Sequence, residues 1–167
     1  GLEPNHPEKV VCAMVWNQPK GALTTFKNLK LIFAMGAGVD HIFKDETIPK
    51  HIPICRVIDY QMAFSMSNYI LMAVLNYHRS FYEFQDAQSK KHWSQFEFIE
   101  RPVKVGVLGI GHLGMDAAKK IHHMGFPVFG YSNSQKKADF KTYYGDQFDE
   151  FLEQINVLIC TVPYTPK

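Results

Sequence analysis

Between positions 103 and 114 the chain reads Val-Lys-Val-Gly-Val-Leu-Gly-Ile-Gly-His-Leu-Gly, and no other run constrains the fold as strongly. Val103, Val105, Val107 and Leu108 have the apolar density of a buried strand. Gly109, Gly111 and Gly114 then follow in the spacing G-x-G-x-x-G. Leu113, Ala117, Ile121 and Met124 recur at helical spacing up to Gly125, where a C-terminal cap is expected. Strand, glycine turn and helix form the context in which this spacing indicates dinucleotide binding. The first glycine turns the chain, the second admits a pyrophosphate to the backbone, and the third lets the helix pack on the strand. The phosphates would rest on the free N–H groups at the helix N-terminus. The plainer alternative is an ordinary strand-turn-helix corner whose glycines serve sterics alone.

With 167 residues, 46% of them hydrophobic and 20% charged, the chain can bury a core as one domain or as two small or incomplete ones. A net charge of +2 is too small to argue for a nucleic acid or a membrane surface. The apolar run at 69–75 is far short of a membrane span, and the N-terminal residues lack the pattern of a signal peptide. They look like a segment of a longer chain. Cys12, Cys55 and Cys160 each lie in an apolar strand-like run, so they are expected to be small core hydrophobes in a reducing compartment. No pair of them has metal-ligand spacing, and no metal site is assigned.

Taken in order, residues 9–16 read as a buried strand, 24–28 as a short helix and 31–35 as a second strand, which suggests parallel α/β construction. Met35, Gly36, Ala37 and Gly38 follow at the strand's C-terminal end. Their consecutive N–H groups can form a nest for a carboxylate, or the glycines can simply permit a tight turn before Asp40. Residues 54–58 read as a third strand. One long helix is expected over 65–84, apolar nearly all round and so buried on several sides, with Met66, Tyr69, Ile70, Ala73, Val74 and Tyr77 as its stripe. Trp93 reads as a packing or interface residue. Residues 127–131 form a further strand, 147–155 an amphipathic helix with Phe148, Phe151, Leu152 and Ile155 inward, and 157–162 a buried strand that would neighbour the one before the glycines.

The end of the 127–131 strand is where an NAD-binding domain places an acidic residue for the ribose hydroxyls. Here Ser132, Asn133 and Ser134 stand instead, with Lys136 and Lys137 close behind and no carboxylate until Asp139. Loss of the acid removes a charge that would repel a 2′-phosphate, so NADP is the favoured cofactor, with NAD as the second choice.

Residues 31–42, residues 105–114 and residues 157–166 together resemble the D-isomer-specific 2-hydroxyacid dehydrogenases, in particular the bacterial glyoxylate/hydroxypyruvate reductase A branch. The resemblance implies an α/β protein: an incomplete substrate domain over 1–64, then a connector helix and the first half of a doubly wound Rossmann nucleotide-binding domain over 65–167. It implies reduction of a small 2-keto acid, glyoxylate or hydroxypyruvate, by hydride transfer from NADPH. By the same resemblance the backbone of Met35, Gly36, Ala37 and Gly38 would hold the substrate carboxylate, with Trp16 as a wall of the pocket. Gly109, Gly111, His112, Leu113 and Gly114 would hold the pyrophosphate, and Ser132, Asn133 and Ser134 the adenosine end. Val162, Pro163 and Thr165 would line the cofactor crevice.

The family's catalytic arginine, carboxylate and histidine have no counterpart among these residues, so no catalytic residue is assigned and the chain alone is expected to be inactive. Asn68 stands where the family usually has a glutamate. A homodimer formed through the connector helix and a cytoplasmic location are the further expectations. Two alternatives remain: a non-catalytic, nucleotide-sensing partner module of the same fold, and a methyltransferase binding S-adenosylmethionine, against which Ser132 argues.

Overall fold

The computed structural model describes residues 4–93 and 100–163. They divide into two compact units, one running to Asp59 and taking in Pro163, the other Tyr60–Val162.

The first unit is a parallel three-stranded sheet of β1 (Cys12–Val15), β2 (Leu31–Ala34) and β3 (Ile54–Arg56) in that order, with a one-turn helix α1 (Asp40–Phe43) after β2. Side chains alternate between the faces of a strand. Val15, Ile32 and Ala34 therefore share a buried face with Leu23, Leu29, Ile42 and Ile52. Cys12, Met14 and Cys55 fall out of phase with that face and are exposed, as is Cys160 in the other unit. The cysteines are thus not core residues: an apolar run marks a strand but does not say which of its faces is covered.

No helix forms over 24–28. A string of i to i+3 backbone bonds runs from Pro19 to Leu29, with Gly21 inside it at φ of +80°. The hydroxyls of Thr24 and Thr25 bond back to the carbonyls of Gly21 and Ala22, the local competition that disfavours helix interiors. This turn is tied to the end of α1 by Asp45, whose buried carboxylate accepts the Gly21 N–H at 2.9 Å and both the hydroxyl and the N–H of Thr47.

The second unit has a four-stranded parallel sheet in the order β6-β5-β4-β7, built from β4 (Val105–Leu108), β5 (Val128–Ser132), β6 (Lys141–Tyr144) and β7 (Val157–Cys160). The last strand lies beside the first, as expected. The edge strand β6 escapes a sequence reading because only Tyr143 in Lys-Thr-Tyr-Tyr is buried. One sheet face packs Val105 and Val107 against Ala117, Ala118 and Ile121 of α4 (His112–His123) and Ile70 and Val74 of α2 (Tyr60–His78). The other packs Tyr131 and Tyr143 against Phe151 of α5 (Phe148–Glu153), where Gly106 leaves room for the Phe151 and Ile155 side chains.

Helix α2 corrects the expected single helix over 65–84. It begins earlier, at Tyr60, and stops at His78, because Ser80 takes a left-handed φ of +50° before α3 (Phe81–Ser89) starts. Its buried stripe is Ala63, Ser67, Ile70 and Val74, turned toward α4, while Met66, Tyr69, Ala73, Met72 and Tyr77 are exposed. Small residues at 63 and 67 allow the two helices to come close. There the Ser67 hydroxyl donates to Asp116, and Lys120 reaches Ser67, Asn68 at 3.1 Å and Asp116 at 3.1 Å. Burial is the strongest single influence on the Asp116 carboxyl and opposes its ionisation. The hydrogen bonds from Ser67 and Lys120, with the Lys120 charge, together outweigh it and hold the group below its usual range. Phe148, Leu152 and Met124 are partly exposed rather than inward, and Trp93 is 85% exposed and takes no part in the core of the described residues.

Asp45 gives the first unit a titratable tie. The Thr47 hydroxyl first, then the Gly21 N–H, hold its carboxyl below the ordinary value of 3.8. A depressed native value means that the carboxylate's contribution is complete above pH 3.8 and is lost as pH falls through the native value. Asp45→Asn is expected to lower the unfolding midpoint in urea at pH 7, and the difference from the unaltered chain should shrink below pH 3.8.

Candidate functional site

The glycine corner joins β4 to α4. Gly109 has φ of +95°, a conformation open to glycine, and its N–H donates to the Tyr131 carbonyl at 2.8 Å, anchoring the turn on β5. Gly111 is the N-cap of α4 in an extended conformation, and a Cβ placed on it would meet no atom within 4 Å. Gly114 is the reverse case: a Cβ there would overlap the Gly109 carbonyl oxygen and approach the Thr161 hydroxyl at 2.6 Å.

Thr161 is a residue that sequence reasoning missed. Its hydroxyl donates to the carbonyl of Gly109 at 2.7 Å and lies 3.1 Å from that of Leu108, and its N–H donates to Leu108 at 2.9 Å. It therefore stitches the end of β7 onto the turn. β7, expected to be buried, is half-exposed, with Leu158 and Cys160 on its open face; a hydroxyl at the C-terminal end of this apolar strand, just ahead of Val162, was the signal available. The Val162 side chain lies 2.7 Å from the Cβ position of Gly109 and so borders the same turn. Pro163 follows it, and Thr165 lies outside the described residues.

No side chain caps α4, and among the described residues the N–H groups of His112, Leu113 and Gly114 have no acceptor. These are the orphan donors of a first helical turn, aimed with the positive end of the helix dipole at the space beside Gly111. The Tyr60 ring meets the His112 imidazole edge-on, with centroids 4.7 Å apart. At the end of β5 the Ser132 hydroxyl donates to the Ser134 carbonyl at 2.7 Å, so its proton is held inside the turn. The Thr142 hydroxyl fixes the same loop by donating to the Lys136 carbonyl at 2.8 Å. Asn133, Ser134, Lys136 and Lys137 are all exposed on it.

In the first unit, the end of β2 carries the loop Met35-Gly36-Ala37-Gly38. The Met35 N–H donates to the Val15 carbonyl at 3.0 Å, so Met35, named with the three residues after it from the sequence, offers no free N–H to the nest. The N–H groups of Gly36, Ala37 and Gly38 have no acceptor among the described residues. The Trp16 indole, at the end of β1, lies 2.9 Å from the Cβ position of Gly36, and the Asp40 carboxylate lies 3.8 Å from that of Gly38. Arg56, at the end of β3, donates to the Ala37 carbonyl at 2.8 Å. Trp16 and the 35–38 loop are thus neighbours, and Arg56 joins them from the other strand.

The sheet order and the glycine corner define a Rossmann-type nucleotide-binding domain. Residues 71–167 match the family model described as D-isomer specific 2-hydroxyacid dehydrogenase, NAD binding domain, and the chain belongs to that family. Its curated relatives include glyoxylate/hydroxypyruvate reductase A of Yersinia enterocolitica, 34% identical over 163 residues, covering 93% of this chain and 52% of the relative. The same enzyme of Photorhabdus laumondii is 37% identical, with the same coverage. A solved structure of a probable 2-hydroxyacid dehydrogenase from Rhizobium etli, in complex with NADP, HEPES and L(+)-tartaric acid, superposes with a TM-score of 0.90 at 33% identity, over 97% of this chain and 51% of that one. The NADPH-dependent glyoxylate/hydroxypyruvate reductase of Sinorhizobium meliloti, in complex with NADP and sulfate, gives 0.84 at 32% identity, over 98% and 54%. The chain spans about half the length of the curated relatives it matches.

Two substitutions separate the roles of the glycines. Gly111→Ala fills open space at φ of −74° and should leave the melting temperature unchanged while weakening NADPH binding at least about tenfold, measured by calorimetric titration. Gly114→Ala should lower stability by about 1–3 kcal/mol in urea, because backbone must shift to admit the methyl group.

Proposed function

We propose that this chain is the ligand-binding part of an NADPH-dependent reductase of small 2-keto acids, glyoxylate or hydroxypyruvate being the substrates. The observation that carries the reading is the open cradle at Gly111, lined by unpartnered N–H donors at the start of a twelve-residue helix. The residues fit the cofactor: the second glycine leaves the volume a pyrophosphate needs, and the first turn of α4 supplies donors with no competing acceptor. When bound, the nicotinamide supplies the hydride.

His112, Leu113 and Gly114 would bind the pyrophosphate through their N–H groups, with Thr161 and Gly109 holding the turn in shape. Val162 and Pro163 would border the cofactor, with Thr165 beyond them. At the adenosine end, the Ser132 hydroxyl donates its hydrogen bond to the Ser134 carbonyl and shapes the loop. The Asn133 amide, the Ser134 hydroxyl and the ammonium groups of Lys136 and Lys137 would then take a 2′-phosphate, and the absence of a carboxylate at 132 removes the repulsion that favours NAD. In the first unit, the N–H groups of Gly36, Ala37 and Gly38 would hold the substrate carboxylate beside the Trp16 ring.

No residue here is assigned the tasks of polarising the carbonyl or protonating the alkoxide, each of which carries orders of magnitude in rate. The 167-residue chain is therefore expected to bind without turnover. The exposed Met66, Tyr69, Met72 and Tyr77 of α2 form the surface through which we place a homodimer.

Titration with NADPH and NADH tests the cofactor reading. NADPH should bind more tightly, and the double substitution Lys136→Ala with Lys137→Ala should cost about tenfold toward NADPH and leave NADH unaffected. Equal affinity for both cofactors in the unaltered chain would overturn the preference. NADPH oxidation on adding glyoxylate, measured with the natural full-length protein, tests the reaction, and its absence with both keto acids would overturn it.

A further inference from the structure

We infer that Arg56 is a positioning residue for the carboxylate nest, an inference that rests on the keto-acid reading of the Gly36–Gly38 loop. The strand register sets Arg56 beside Ala34, so β3 ends next to the point where β2 enters the loop. From there the guanidinium donates from Nη1 to the Ala37 carbonyl across the strand ends, at 2.8 Å. On the other side of the loop the Trp16 ring abuts Gly36. The central strand's loop is thus held from both flanking strands, by an apolar plate on one side and a charged hydrogen bond on the other.

The consequence follows from peptide geometry. The chain has no cis peptide bond among its described residues, and in a planar trans unit the carbonyl of one residue and the N–H of the next point in opposite directions. Turning the Ala37 carbonyl toward Arg56 therefore turns the Gly38 N–H away from it, into the open side of the loop where no described residue accepts it. Gly38, on the N–H side of this peptide, has no Cβ to restrict its rotation. Without Arg56 the Ala37–Gly38 unit has no other described hydrogen bond to fix its orientation.

Charge adds a second reason. The Asp40 carboxylate, 3.8 Å from the Cβ position of Gly38, would repel an anion bound in the nest. Arg56 supplies the compensating positive charge, which arginine retains at every working pH. Arg56 does not touch the bound carboxylate in this account. It acts by orienting the donor that does, and by offsetting Asp40.

The test uses the isotopically labelled chain and oxamate, a small keto-acid analogue that is not reduced. Without ligand, nitrogen relaxation should report a rigid Gly38 amide in the unaltered chain and in Arg56→Lys, and a mobile one in Arg56→Ala. With oxamate, the amides of Gly36, Ala37 and Gly38 should shift, and Arg56→Ala should weaken the affinity about twofold to tenfold, the worth of one hydrogen bond. Arg56→Lys should recover part of that loss, and NADPH affinity should be the same in all three.

A rigid Gly38 amide in Arg56→Ala, or equal oxamate affinity in the unaltered chain and Arg56→Ala, overturns the role of Arg56 and leaves the keto-acid reading standing. If oxamate fails to shift these amides in the unaltered chain, the keto-acid reading falls, and the substrate role of Arg56 with it.

Discussion

Gly109 and Gly114 lie so close that no Cβ fits between them, and this approach of α4 to the end of β4 governs the rest of the second unit. It sets where the first turn of α4 points and so where its unpartnered N–H groups converge. Thr161 holds the contact from below by donating to the Gly109 carbonyl, the atom that any side chain at 114 would strike. Because Thr161 belongs to the end of β7, the cradle is stabilised by the pairing of β7 with β4. Binding geometry and sheet order are one constraint.

The back of α4 is fixed as firmly. Ala117, Ala118 and Ile121 are fully buried against the sheet and α2, and the polar cluster of Ser67, Asp116 and Lys120 fixes how α2 lies on α4. A part-buried polar cluster of this kind contributes little net stability but favours this register, because a shifted helix would break the bonds that Ser67 and Lys120 make to one another and to Asp116. In the first unit, a smaller sheet achieves a comparable result with less burial. The loop after β2 is shaped by its neighbours Trp16 and Arg56 and by Asp45 tying the turn at Gly21 to the end of α1.

Much of this was legible in the amino-acid order, for identifiable reasons. The strand-glycine-helix run could be read because Gly109 and Gly114 answer local steric demands, Gly111 leaves open space beside the helix start, and the flanking apolar periods state the element types. The partnership of β7 with β4 followed from the topology such a unit must have. Three things were hidden. The burial of a strand's two faces depends on what covers them, so Cys12, Cys55 and Cys160 read as core and are exposed. Helix ends set by a single backbone angle, such as that of Ser80, leave no trace in apolar periodicity, and the stripe expected from Met66, Tyr69 and Tyr77 gave way to Ala63 and Ser67 because α4 packs close. Lastly, Thr161 and Arg56 act on backbone carbonyls far away in sequence, and contacts of that kind have no local motif.

The central claim is that the first turn of α4 beside Gly111 is a pyrophosphate site. Its most direct test is the amide NMR spectrum of the labelled chain as NADPH is added. The account predicts that the largest shifts fall on the amides of Gly111, His112, Leu113 and Gly114, with smaller ones at Ser132, Asn133 and Ser134. Saturation with these glycine-corner amides unmoved, or with the major shifts elsewhere in the chain, would contradict it.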